Sequence, residues 1–321
     1  MRILRTTLLS GLGVALAIAG PGMAVADSTD SSSSIGATTT AEQAAVAAYW
    51  TPERMKEATP LDVINVAADE VSTTDVEIGE PTTIDATDSP VDTTAFPNTG
   101  GEWTDGGDVV NTAGRVFFSM NGQDASCSGN AATSDNGNTV LTAGHCVYYQ
   151  GGWHDNWAFV PGYHDGQSPH GTWTAASTHA IPQWSSSEDM NYDVGAAVVN
   201  PLDGQNLTDV VGGQGVAFNV DYNLAMYSFG FPAADPYDGE KFIYCSGDTM
   251  QDFFLTNDHG MSCDMTGGSS GGPWFVDFDE ATGTGLQASV NSFGYVFLPG
   301  YMFGPYFGAE AEALWETAQS S

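Results

Sequence analysis

Gly267-Gly268-Ser269-Ser270-Gly271-Gly272-Pro273 is the stretch whose reading decides the fold. Glycines on both sides of a serine let the backbone bend tightly and turn its amide N–H groups toward one point. A serine hydroxyl in such a bend becomes a nucleophile only when a base takes its proton. Two other stretches can complete that chemistry. Thr142-Ala143-Gly144-His145-Cys146 ends an apolar run and offers an imidazole. Asn191-Tyr192-Asp193-Val194-Gly195 leads into Ala-Ala-Val-Val and offers a carboxylate. Asp189 lies four residues before Asp193, but Asp193 abuts the apolar run and can be fixed by a strand, so it is the expected partner of His145.

Chain order separates two folds. Gly268 to Gly272 also fits G-x-S-x-G, the serine-bearing elbow of α/β-hydrolases, which requires its histidine after the serine. All six histidines (145, 154, 164, 170, 179 and 259) precede Ser270. The hydrolase reading therefore fails, and the order His, Asp, Ser is left. The other five histidines have no matching context and are read as surface or loop residues.

With T-A-G-H-C at 142–146 and G-S-S-G-G-P at 268–273, the chain resembles the chymotrypsin-fold serine peptidases, and within them the secreted bacterial branch that includes glutamyl endopeptidases. The resemblance spans roughly 110–318. It implies two six-stranded antiparallel β-barrels with a cleft between them. It implies His145 as general base, Asp193 as the orienting acid and Ser270 as nucleophile, with the Gly268 and Ser270 amides as oxyanion hole. No cofactor or metal is implied. The four cysteines fit it as Cys127–Cys146 and Cys245–Cys263, although four cysteines allow three connectivities.

Two features depart from the family pattern. The trypsin-like branch has an Asp directly before the nucleophile to pair with a new N-terminal amine. Here that residue is Ser269, which forms no ion pair. Glutamyl endopeptidases carry a pocket histidine after the nucleophile, and no histidine follows Ser270. Asp264, six residues before Ser270, and Asn291, Ser292 and Gly294 are the expected substrate contacts. The Ser292–Gly294 backbone is expected to pair with an extended peptide as an added strand.

Beyond these motifs, short apolar runs separated by Gly, Asn, Asp and Pro fill the chain after Asn111, which predicts an all-β domain. Only GAEAEALWETA near the end reads as a helix. Arg2 and Arg5, the apolar run Leu8–Ala19 and Ala24-Val25-Ala26 read as a signal peptide over 1–26. Residues 27–108 read as pro-segment and linker, with 27–40 disordered. Helical pieces are expected around Thr51-Pro52, with Thr51 as cap. The peptidase domain is expected over 109–321. Ser72–Asn111 is where the linker should be cut, at a non-basic site.

Six Lys+Arg against 40 Asp+Glu give a net charge of −34. Phosphate binding needs clustered cations, so nucleic acid is excluded as a partner. Anionic lipid is excluded on the same ground. No D-x-D-x-D-G loop supports calcium. The function expected is a secreted endopeptidase acting on proteins or peptides. A peptidase scaffold that only binds peptides is the alternative from another class, and an esterase is a third.

Overall fold

Asn121-Gly122 is a two-residue turn with both φ values positive, 52° and 78°, the backbone that matches the twist of a tight hairpin. It joins β1 (Ala113–Met120) to β2 (Gln123–Ala131). In this computed structural model, which describes residues 31–62, 64–67, 71, 73–86 and 96–321, that hairpin seeds the first barrel. β3 (Thr139–Thr142), β4 (Asp155–Pro161), β5 (Trp173–Ala180) and β6 (Gly195–Val199) complete it. The order β5-β4-β1-β2-β3-β6 closes through β5–β6 pairing, antiparallel throughout. The expected signal peptide lies outside the described residues.

The second half holds β7 (Gly215–Phe218), β8 (Ala225–Gly230), β9 (Ile243–Asp248), β10 (His259–Ser262), β11 (Pro273–Asp279), β12 (Thr284–Val290), β13 (Phe293–Tyr295) and β14 (Tyr301–Gly304). It forms two sheets, one running β7-β12-β11-β8-β9 and one containing β10-β14-β13. The β7–β12 pair is parallel, with Gly215 opposite Leu286. A long connection permits that pairing where a hairpin would not. The C-terminal helix Ala309–Gln319 buries Ala311, Leu314, Trp315 and Ala318, a single helical stripe, on the first barrel's core.

The N-terminal segment is built onto this body. Thr51 caps the helix Pro52–Glu57 with Pro52 at its first position, as the sequence predicts. β1 explains why this segment docks. Val116 and Phe118 face the barrel core, while Phe117 between them faces outward and packs with Trp50 and Met55. The expectation of disorder over 27–40 is overturned for Ser32–Ile35, which adds to β5 as an antiparallel edge strand. Thr82–Ile84 likewise adds to β7 and Asn98–Glu102 to β9. Main-chain pairing needs no apolar composition, so a Ser- and Thr-rich stretch can still be ordered by a sheet edge. Trp103 is buried against Phe229, Tyr244 and Phe278.

His259 is fully buried between Tyr222 and Tyr306, with ring centroids 5.0 and 5.5 Å away. Neither ring nitrogen has a protein partner. Burial pushes its pKa down to about 4. The unfolded imidazole binds a proton below its ordinary 6.5 and the folded one does not, so stability is lost as pH falls from 6.5 toward 4. At 1.36 kcal/mol per unit this amounts to about 3 kcal/mol. His259→Phe removes no hydrogen bond. It is expected to flatten the fall of Tm between pH 6.5 and 4 relative to the parent, measured by calorimetry. Equal slopes for the two proteins would contradict this.

Candidate active site

The loop after β3 turns into a short 3-10 helix, Gly144–Cys146, which carries His145 into the space between the barrel and the second half. Gly144 has to be glycine, because a Cβ there would lie 2.7 Å from the Trp184 ring and 3.0 Å from Asp193 Oδ1. Asp193 sits between the 3-10 helix Met190–Tyr192 and β6. Its Oδ1 accepts the His145 backbone N–H at 2.7 Å, and its Oδ2 lies 2.6 Å from His145 Nδ1. Both residues are fully buried. Asp189 goes elsewhere: it caps that 3-10 helix and accepts from Thr74, with its pKa raised by burial. The choice of Asp193 over Asp189 follows from position, since only the residue abutting β6 reaches the imidazole.

Ser270 is on a loop held from every side. Its carbonyl accepts from the Ser128 amide at 2.7 Å, and the Ser128 hydroxyl donates to the Gly268 carbonyl at 2.9 Å. Gly268 has φ +94°, and a Cβ there would meet the Phe231 carbonyl at 2.9 Å. Gly271, at φ +78°, packs so closely on Thr142 and Ala143, just before His145, that a Cβ would strike them. Ser270 Oγ and His145 Nε2 are both buried and have no protein hydrogen-bond partner. One side of the imidazole is thus committed to Asp193, and the other is left for a further group.

Three residues support the site in roles that the sequence does not announce. The Ser292 hydroxyl donates to Asp193 Oδ2 at 2.5 Å. His154, stacked on Phe118, lies with Nε2 2.9 Å from the His145 carbonyl, and burial brings its pKa to about 4. No spacing signal marks either contact. Asn291, expected at the substrate, instead points inward with every side-chain valence used. Its Nδ2 donates to the carbonyls of Phe229 and Ser269 at 2.9 and 3.0 Å. Its Oδ1 accepts from Ser228 Oγ and Trp274 Nε1, both at 2.7 Å. Asn291 therefore braces the loop that bears Ser270. Asp264 is exposed, accepts from the Tyr237 hydroxyl at 2.6 Å and donates its amide to the Thr99 carbonyl. Gly294 lies on β13 opposite Asn65.

Both disulfides take the expected pairing, Cys127–Cys146 and Cys245–Cys263. The first ties β2 to the His145 turn. Each adds roughly 3 kcal/mol in a chain-entropy estimate. Among the described residues the one cluster of potential metal donors is Cys127, His145 and Cys146, and its sulfurs are bonded to each other. Among the described residues no helix is long and apolar enough to cross a membrane.

No protein-family model matches the chain. The crystal structure of protease Anisep from Arthrobacter nicotinovorans is 44% identical, covers 67% of this chain and 98% of its own, and superposes with a TM-score of 0.63. A thermostable serine protease, AL20, from an extremophilic microorganism is 38% identical over 67% of this chain and 99% of its own, also with a TM-score of 0.63. A Glu endopeptidase structure, 16% identical over 70% of this chain and 99% of its own with a TM-score of 0.56, shares the fold. A Bacillus subtilis (strain 168) protein called extracellular metalloprotease is 40% identical over 73 residues, which is 22% of this chain and 23% of that protein. With those identities across nearly whole solved chains, this protein belongs to the chymotrypsin-fold serine proteases of bacteria.

Proposed function

We propose that the protein is a secreted serine endopeptidase made as a precursor, with residues 109–321 as the peptidase domain and 27–108 as pro-segment and linker. Ser270 Oγ attacks a peptide carbonyl and His145 Nε2 takes its proton. Asp193 holds the imidazole in one tautomer and stabilises its charged form. The Gly268 and Ser270 amides receive the developing oxyanion. His145 then protonates the leaving amine, and water hydrolyses the acyl-enzyme by the same steps in reverse. The observation that carries this reading is His145 itself: Nδ1 bound to Asp193, Nε2 without a partner, beside the braced loop of Ser270.

The two disulfides fit an oxidising, extracellular destination. The word metalloprotease in one relative's name finds no support among the described residues. The sulfurs beside His145 are oxidised to a disulfide and His145 Nδ1 already serves Asp193. No step is routed through a metal.

Digestion of a diverse peptide library by the processed protein, read by mass spectrometry alongside fluorophosphonate labelling, tests the proposal. Internal cleavage with label on Ser270 is expected. A folded, processed protein that neither cuts nor takes label would be a binding scaffold instead, and cleavage of esters without peptides would make it an esterase.

A further inference from the structure

The N-terminal segment passes directly through the proposed site. Thr59-Pro60 pairs with Ala125-Ser126 of β2, and the Leu61 amide donates to the Ser126 carbonyl at 2.9 Å. The Leu61 carbonyl then accepts the Gly268 N–H at 2.9 Å. Asp62 lies against Gly267, where a Cβ would come 2.9 Å from its carboxylate. Farther on, the Ile64 amide donates to the Ser292 carbonyl at 3.3 Å, and Ile64–Val66 pairs with Phe293–Tyr295 of β13. Beneath this strap His145, Asp193 and Ser270 are fully buried.

Its direction is the informative feature. Both pairings, to β2 and to β13, are parallel. The residues before Leu61 lie on the barrel that carries His145, and those after it lie on β13. A peptide whose carbonyl sits at the Gly268 amide is cleaved only if its leaving nitrogen faces the general acid, because His145 must protonate that nitrogen. The nitrogen belongs to the residue after the carbonyl. In a cleavable peptide that half must therefore run toward the barrel of His145, and the acyl half must lie along β13. Here Asp62 and Ile64–Val66 run the other way.

Resting on the peptidase reading above, we infer that Thr59–Asp62 and Ile64–Val66 form a built-in inhibitor strand, laid in the substrate groove in the direction opposite to a cleavable peptide. The groove edges on β2 and β13 accept an extended peptide in either direction, since main-chain hydrogen bonds form in parallel and antiparallel pairs alike. The Leu61 carbonyl takes the Gly268 donor of the proposed oxyanion hole without presenting its amide bond for cleavage. This also accounts for activation without an Asp before Ser270. The loop is already braced by Asn291 and Ser128, and removal of the strap is the step that remains.

The test is the rate of fluorophosphonate labelling of Ser270 in the uncut full-length chain, with intact mass confirming that the labelled species is uncut. The parent precursor is expected to label about 100-fold more slowly than processed protein, because the reagent reacts only with the fraction whose groove is open. Leu61→Pro and Ile64→Pro each remove one groove hydrogen bond. Each is expected to speed labelling of the uncut chain at least about tenfold by raising that open fraction. Ser34→Pro, on the remote strand at β5, is the control and should leave labelling slow. Processing fragments should show no cut at Leu61–Asp62 while the strap is bound. Equal labelling of parent precursor and processed protein, or a first cut at Leu61–Asp62, overturns the inference even if the proline variants fail to fold. Absence of label on processed protein would instead overturn the peptidase reading.

Discussion

Ser270→Ala is expected to lower turnover of a peptide substrate by on the order of 10⁶, because nucleophile, base and orienting acid act as one unit. His145→Ala should cost a similar factor, and the double variant little more than either alone. A residual rate above that of water should survive, since the oxyanion amides and the groove remain. The fold should be unaffected. Ser270 Oγ has no protein hydrogen-bond partner, so its removal strands no buried group. The check is steady-state kinetics on processed protein, with Tm recorded for each variant. If Ser270→Ala keeps parental turnover with an unchanged Tm, the hydroxyl is not the nucleophile.

The second large effect belongs to a residue whose side chain is spent on bracing the Ser270 loop. Asn291→Asp keeps an acceptor for Ser228 and Trp274 but replaces two donated hydrogen bonds with a carboxylate facing the carbonyls of Phe229 and Ser269. The site is fully buried, so the new charge has neither water nor a counter-ion. A penalty of about 3–5 kcal/mol in stability is expected for an uncompensated buried charge. The Ser269 carbonyl belongs to the peptide unit whose N–H is that of Ser270, one of the two proposed oxyanion donors. Displacing it should lower kcat about 100-fold, as loss of one such donor does. KM should change less, because the β13 edge and the Gly294 backbone are untouched. A merely structural role predicts lower Tm with parental kcat in the fraction that stays folded, and that outcome would remove Asn291 from the positioning of Ser270.

The candidate site was legible in the sequence to the extent that its chemistry is local. Ser270 and His145 stand out because their flanking glycines and cysteine are constraints on adjacent backbone, and such constraints are written in neighbouring residues. The fold class was legible for the same reason, from short apolar runs and turn residues such as Asn121-Gly122. Ser292 and Asn291 were singled out for their place on a substrate-pairing backbone. Their side-chain roles depend on Asp193, 99 residues away from Ser292, and on Phe229 and Ser269, which no spacing rule connects. His154 gave no signal at all, because its role is a contact to a backbone carbonyl.

The N-terminal segment divides along the same line. Thr51-Pro52 announces a helix start from two adjacent residues, and the structure has it there. The strands at Ser32–Ile35, Thr82–Ile84 and Asn98–Glu102 have compositions that predict disorder or linker, and they are ordered only because sheet edges supply the partners. What the sequence determined alone was the all-β class, the order of His145, Asp193 and Ser270, and the even set of four cysteines, all carried by residue type and short spacing. What only the tertiary structure decided was the pairing of those cysteines, the bracing of the Ser270 loop by Asn291, and the direction in which Leu61 crosses the groove. Strand direction is a relation between two distant backbones. It leaves no mark on the side chains of either one, so it can be read only after both are in place.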